Sequence, residues 1–223
     1  MKFKAVLFDF DYTLGDATDA IYAGFRAGMT ALGQPVPDRE TVRRTVGMVL
    51  EDAYTLLTGD ESQEGRQAFR AEFSKVARPM QAAGTPLCAG ARELLLALEA
   101  AGVPTAVVST KHTGTLRDIF AGHGLADHFA LILGGDMVSR NKPDPEGLNA
   151  ALDRLGVAPA EALYCGDTVI DAQTAAAAGT RFCAVLNGTT PAEAFQDLPH
   201  VHIAPDLADL GRYLGLPAAG GSK

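Results

Sequence analysis

The sequence has no run of basic residues, no apolar stretch of membrane-spanning length and no internal repeat. Each absence removes a class of function. With a formal net charge of −8 over 223 residues, the chain offers no electrostatic footprint for nucleic acid or for an anionic membrane surface. The opening MKFK is basic, but only Ala5 to Phe8 separate it from Asp9, too little apolar chain for a signal-peptide core. Cysteine is scarce: Cys88, Cys165 and Cys183 are odd in number, widely spaced and set among apolar residues. That pattern excludes a disulfide framework or zinc site, reads as reduced core thiols, and makes the cytoplasm the expected compartment. A P-loop glycine pattern is also missing, which argues against Walker-type nucleotide hydrolysis.

What is present describes a globular protein. A hydrophobic fraction of 47% with 21% charged residues excludes a disordered chain. The length suits one large core plus a smaller appendage, at about 150 residues per domain. Ala5–Phe8 is an unbroken apolar run, as in a strand buried on both faces of a parallel sheet. It stops on Asp9. If the extended conformation continues, Asp9 and Asp11 leave on one side, with Thr13 and Gly15 just beyond. Two like carboxylates at the mouth of a buried strand repel and desolvate each other unless a cation or a shared proton relieves them. The alternative is a solvated loop with two capping aspartates.

From Asp16 to about Gly84 no β-branched run occurs and apolar residues recur at helical spacing. Ile21, Phe25, Met29 and Leu32 share a face ended by Gly33 and Pro35, and the spacing continues over Val42–Leu57 and Ala68–Val76. This predicts an all-helical insert, which holds Arg26, Arg39, Arg43, Arg44, Arg66, Arg70, Lys75 and Arg78. From Pro86 onward helices alternate with strands: helix 91–101, strand 105–108, helix 116–121, strand 130–133, helix 145–155, strand 162–165, helix 172–178, strand 182–186 and a last short strand at 201–203. Such alternation predicts a doubly wound parallel sheet, an α/β Rossmann-like core. The tail 218–223 is Gly/Ser-rich and predicted mobile.

In such sheets ligands bind beyond the carboxyl ends of the strands. Asp9 follows the first strand, Ser109 the second and Asp167 the fourth, while Lys142 lies in the loop after the third, so all open onto one edge. A hydroxyl, an ammonium and several carboxylates gathered there suit a metal-bound phosphate. Magnesium takes carboxylate oxygens, and Lys142, Ser109 and helix N-terminal amides neutralise phosphoryl oxygens. Thr13 reads equally as a ligand or as a turn hydroxyl, and Asp171, at a helix start, reads also as a cap.

FDFDYT at 8–13, VVST at 107–110, NKPDP at 141–145 and GDTVID at 166–171 resemble, in order and spacing, the four signature motifs of the haloacid dehalogenase-like hydrolases. The insert resembles that family's helical cap. The resemblance implies a core of residues 1–14 and 85–223 with a cap at 15–84. It implies that Asp9 attacks phosphorus to give an aspartyl-phosphate, and that Asp11 protonates the leaving oxygen and then activates water. It implies Mg2+ held by the Asp9 carboxylate, the Asp11 main-chain carbonyl and Asp167, with Asp171 supporting nearby, and Thr13, Ser109, Thr110 and Lys142 binding the phosphoryl group. Two residues depart from the common pattern. Tyr12 stands where many members have Gly, so the backbone there is expected to accept a bulky residue, and Thr110 stands where Asn is frequent.

GDTVIDAQTAAAAG and the insert segment TVGMVLEDA at 45–53 look like phosphoglycolate phosphatases. Val46, Gly47 and Met48 would then form a specificity loop between two helices, with Arg43 or Arg44 beside it to meet a substrate carboxylate. The lid would be tethered near Gly15 and Gly84. The expected partner is a small phosphorylated metabolite, and the expected state a monomer or homodimer. A phosphomutase of the same superfamily remains an alternative, as does a non-catalytic protein that uses a phosphorylatable aspartate for signalling or binding. Dehalogenation is disfavoured because Asp11 is present, and phosphonate cleavage because Lys75 is the insert's only lysine.

Overall fold

The computed structural model describes residues 2–217, so the tail lies outside the described residues. The chain forms two compact units: the first runs to Asp16 and resumes at Pro86, and the second is Ala17–Thr85. The first unit is a six-stranded parallel sheet ordered β3-β2-β1-β4-β5-β6. Its strands are β1 (Ala5–Phe8), β2 (Thr105–Val108), β3 (Leu131–Leu133), β4 (Ala162–Gly166), β5 (Arg181–Val185) and β6 (His202–Ala204). The helices of this unit are α5 (Ala91–Ala100), α6 (Thr113–Gly122), α7 (Glu146–Leu155), α8 (Val169–Ala178) and α9 (Leu207–Tyr213).

The unbroken apolar run of β1 follows from its central place. Side chains alternate across the sheet, so Val6 and Phe8 enter one core with Leu94, Leu98, Phe120 and Leu210. Ala5 and Leu7 enter the other with Leu148, Leu152, Ala172 and Phe182. The chain builds outward from β1 through β2 to β3, then returns to lay β4 against the other side of β1, with Phe8 opposite Cys165. The strand order therefore reverses between β1 and β4, where a crevice opens beyond the strand ends. Asp9 and Asp167 leave the sheet at that place. The thiols are free, and burial pushes that of Cys88 up to about 12, out of reach of thiolate chemistry at neutral pH.

The second unit is helical: α1 (Thr18–Ala31), α2 (Arg39–Arg43), α3 (Leu50–Thr58) and α4 (Gln63–Gly84). Its core gathers Phe25, Met29, Tyr54 and Phe69, with Phe25 and Phe69 ring centroids 5.2 Å apart. The helical spacing over Val42–Leu57 corresponds to two helices. The chain turns through 44–49 because Gly47 takes φ 96 and Val49 is extended. Gly15 bridges to Asp11 and to Leu87, and Gly84 closes α4. The sequence reading missed α9, although Asp206 caps it by accepting from the Asp209 N–H and Leu207, Leu210 and Leu214 bury one face. Among the described residues no helix is long and apolar enough to cross a membrane.

Candidate active site

β1 stops at Phe8, and the extended conformation does not continue to Asp11. The Phe10 carbonyl accepts hydrogen bonds from the N–H groups of Thr13, Leu14 and Gly15, closing a tight turn directly after Asp9. Asp9 and Asp11 thus converge through a turn. Both are buried, and the Asp9 N–H is tied to the Cys165 carbonyl at 2.9 Å. Tyr12, inside the turn, has φ 54. Contrary to the expectation that the backbone there accepts a bulky residue, it is left-handed and strained for any L side chain.

Lys142, on the loop after β3, is buried to 5% side-chain exposure. Its Nζ lies 3.0 Å from Asp9 Oδ1 and 2.6 Å from Asp171 Oδ1, and it donates to the Tyr164 hydroxyl at 3.2 Å. Burial works against the ammonium, but the Asp171 and Asp9 carboxylates outweigh it and hold Lys142 well above the ordinary lysine range. Asp9 moves the other way. Burial raises its carboxyl to about 6, Lys142 opposes that rise, Asp171 and Asp11 add to it, and the Ser109 hydroxyl draws it down. Burial first, and then Asp171 and Asp9, push Asp167 well above the usual carboxylate range.

The carboxylates of Asp9, Asp167 and Asp171 each place an oxygen within 4.8 Å of the others. They are not equivalent. Asp171 Oδ1 takes bonds from Lys142 and Tyr164, and Oδ2 from the N–H and hydroxyl of Thr168, within a capping box that starts α8. The cap reading and the support reading of Asp171 are one arrangement: the cap fixes the carboxylate that fixes Lys142. Asp9 Oδ1 lies beside Lys142 without hydrogen-bond geometry, and neither it nor Asp11 Oδ1 has a donor, although both are buried. A buried anionic oxygen without a donor, as on Asp9, is costly. That oxygen and the all-oxygen donor set fit a hard divalent cation such as Mg2+.

Of the remaining expected phosphate ligands, Ser109 is buried beside Asp9, Thr110 is half-buried next to it, and the Thr13 hydroxyl is spent on Asp167 Oδ1 at 3.3 Å. Four participants were not singled out by motif spacing. Tyr164 bridges Lys142, Asp171 and the Val108 carbonyl, and Asn187 donates to the Thr13 carbonyl at 3.4 Å. A Cβ on Gly188 would stand 2.0 Å from Asp167 Oδ2. Lys111 forms an ion pair with Asp11. Its signal lay in the text, a cation two residues after Ser109, but only the fold turns it inward. Arg43, Arg44, Val46, Gly47 and Met48 belong to the second unit, where both arginines face Glu40, at 3.7 and 3.3 Å.

A family model described as haloacid dehalogenase-like hydrolase matches residues 6–185. The chain is similar to phosphoglycolate phosphatase of Rhodospirillum rubrum, 34% identical across 99% of this chain and 94% of that one. It is also similar to N-acetylmuramic acid 6-phosphate phosphatase of Pseudomonas putida, 33% identical across 84% and 85%. Among solved structures, a haloacid dehalogenase-like hydrolase from Bacteroides fragilis superposes with a TM-score of 0.90 at 38% identity, covering 94% of this chain and 100% of its own.

Proposed function

Because the chain belongs to the haloacid dehalogenase-like hydrolases, we propose that it hydrolyses a small, carboxylate-bearing phosphate monoester through an aspartyl-phosphate on Asp9. The reaction class follows from the family and from relatives named as phosphatases. The single observation that carries the mechanism is the surroundings of Asp9. Its Oδ1 has no hydrogen-bond donor and stands 3.0 Å from Lys142, which leaves a nucleophile charge-compensated yet unblocked.

Asp9 attacks phosphorus as the ester P–O bond breaks, and Asp11 passes a proton to the departing oxygen. Asp11 then takes a proton from the water that cleaves the acyl phosphate, regenerating Asp9. Lys142 and Ser109 bind phosphoryl oxygens, with Thr110 and Thr13 beside them. Mg2+, held by the Asp9 carboxylate, the Asp11 main-chain carbonyl and Asp167, would supply further charge neutralisation there. The substrates in the relatives' names, phosphoglycolate and N-acetylmuramic acid 6-phosphate, differ in size, but each carries a carboxylate as well as a phosphate ester. That common feature supports recognition of a second anionic group, for which Arg43 and Arg44 are the candidates. Lys75 pairs with Glu72 at 2.5 Å and is 65% exposed, a poor setting for a Schiff-base lysine.

Phosphate release from a panel of small monoesters with Mg2+ tests the proposal, phosphoglycolate first. The expected result is preference for carboxylated esters and no turnover by Asp9→Asn at unchanged circular dichroism. Near-normal turnover by Asp9→Asn would sink the nucleophile assignment, and an isomeric phosphate ester in place of free phosphate would mean phosphomutase chemistry.

A further inference from the structure

The proposed reaction gives Asp11 two proton transfers but does not say what aims its carboxyl. Lys111 Nζ lies 3.1 Å from Asp11 Oδ2, with both side chains 8% exposed, and 5.7 Å from the Phe10 ring centroid. We propose that Lys111 is a positioning residue: its contact with Oδ2 fixes the Asp11 carboxyl so that Oδ1 meets the leaving-group oxygen. This inference rests on the phosphatase reading above and extends it to a residue outside the four motifs.

Asp11 Oδ1 is buried and accepts no hydrogen bond. One oxygen is therefore held by a cation while the other has no hydrogen-bond donor committed to it. A buried ion pair is also poorly explained by stability alone, because the desolvation of two charges cancels much of their attraction. The backbone that carries Lys111 is fixed as well. Gly135 N–H donates to the Lys111 carbonyl at 3.1 Å, and Lys111 N–H reaches Ser109 Oγ at 3.4 Å. Asp136 Oδ1 accepts from the Thr113 N–H at 2.6 Å and from its hydroxyl at 2.9 Å. The two loops approach so closely that a Cβ on Gly134 would stand 2.3 Å from the Lys111 carbonyl oxygen, and one on Gly135 2.7 Å from that of Thr110. Lys142 already compensates Asp9 at 3.0 Å, so Lys111 is not needed to repeat that role.

In the first half-reaction the P–O bond breaks while the Asp11 proton moves to the departing oxygen. An acidic phenol leaves without that proton; an alkoxide does not. The test measures kcat/KM, which reports this half-reaction, for wild type, Lys111→Met and Lys111→Arg on dinitrophenyl, para-nitrophenyl and phenyl phosphates and on phosphoglycolate. General acid catalysis is worth about 100-fold or more, so Lys111→Met should lose about 30-fold or more on phosphoglycolate and phenyl phosphate. Its loss on dinitrophenyl phosphate should be at least about ten times smaller, and Lys111→Arg should restore most of the difference. Should Lys111→Met fail to fold, Lys111→Gln, which keeps polarity without charge, carries the same comparison. Equal losses along the series, or none, would overturn the inference while leaving the phosphatase reading intact. Absence of wild-type turnover on every ester would overturn both.

Discussion

Tyr12 carries the plainest local conflict in the molecule, φ 54 on a bulky L residue. That conformation costs about 1–2 kcal/mol. The same side chain is 4% exposed, and burying an aromatic of this size contributes about 1.5–3 kcal/mol. Burial therefore wins by a small margin. Tyr12→Gly should lower stability by about 1 kcal/mol in urea unfolding, and a rise would show that the strain dominates. Lys142 presents the opposite case, charge without strain. Lys142→Met leaves the Asp9 and Asp171 carboxylates buried and uncompensated, a loss of about 3–5 kcal/mol. Adding Asp9→Asn removes one of the two repelling charges. The double variant should recover a measurable part of that loss; strictly additive effects would deny the coupling.

At the scale of elements, the site depends on short connections aimed by strand ends. The turn after β5 brings Gly188 against Asp167, and a methyl group there overlaps Oδ2. Gly188→Ala should therefore weaken Mg2+ binding by about 10–100-fold, the range for residues that support metal ligands. Calorimetric titration with Mg2+ measures it, and unchanged affinity would mean that the turn gives way instead. The segment from α2 to α3 carries the arginines proposed to meet a substrate carboxylate. Arg43→Ala or Arg44→Ala should cost about 1.5–3 kcal/mol in kcat/KM for a carboxylated substrate, the range for a charge-assisted hydrogen bond, and spare an uncharged aryl ester. Equal losses on both esters would leave the carboxylate preference unsupported.

For the whole molecule, the buried acidic site is a liability that a bound cation would relieve. The folded state holds a proton on Asp9 up to about 6, whereas the ordinary carboxylate value is 3.8. Between those values the folded state binds more protons than the unfolded one, so stability falls as pH rises across that window. Asp167, raised chiefly by burial, adds to that loss. Mg2+ at 100 times its Kd adds about 2.7 kcal/mol. Its effect on Tm should therefore be larger at pH 8 than at pH 5, where protons do part of the cation's work. A Tm indifferent to Mg2+ at pH 8, with phosphate absent, would contradict the assigned metal site.

The sequence alone determined the parallel α/β core, because a run such as Ala5–Phe8 is apolar on both faces only where helices cover both. It also determined that Asp9, Ser109, Lys142 and Asp167 meet, since strand ends in such a sheet share one edge. Helix limits in the second unit were less legible: the apolar period runs through 44–49, and the break is made by backbone angles at Gly47 and Val49 that leave little mark on periodicity. Only the tertiary structure decided which polar atoms are spent and which are left open. Asp171 is saturated by Lys142, Tyr164 and Thr168, the Thr13 hydroxyl is given to Asp167, and Lys111 is turned onto Asp11. Hydrogen bonding and desolvation depend on distances between segments far apart in the chain, and spacing within one segment does not encode them.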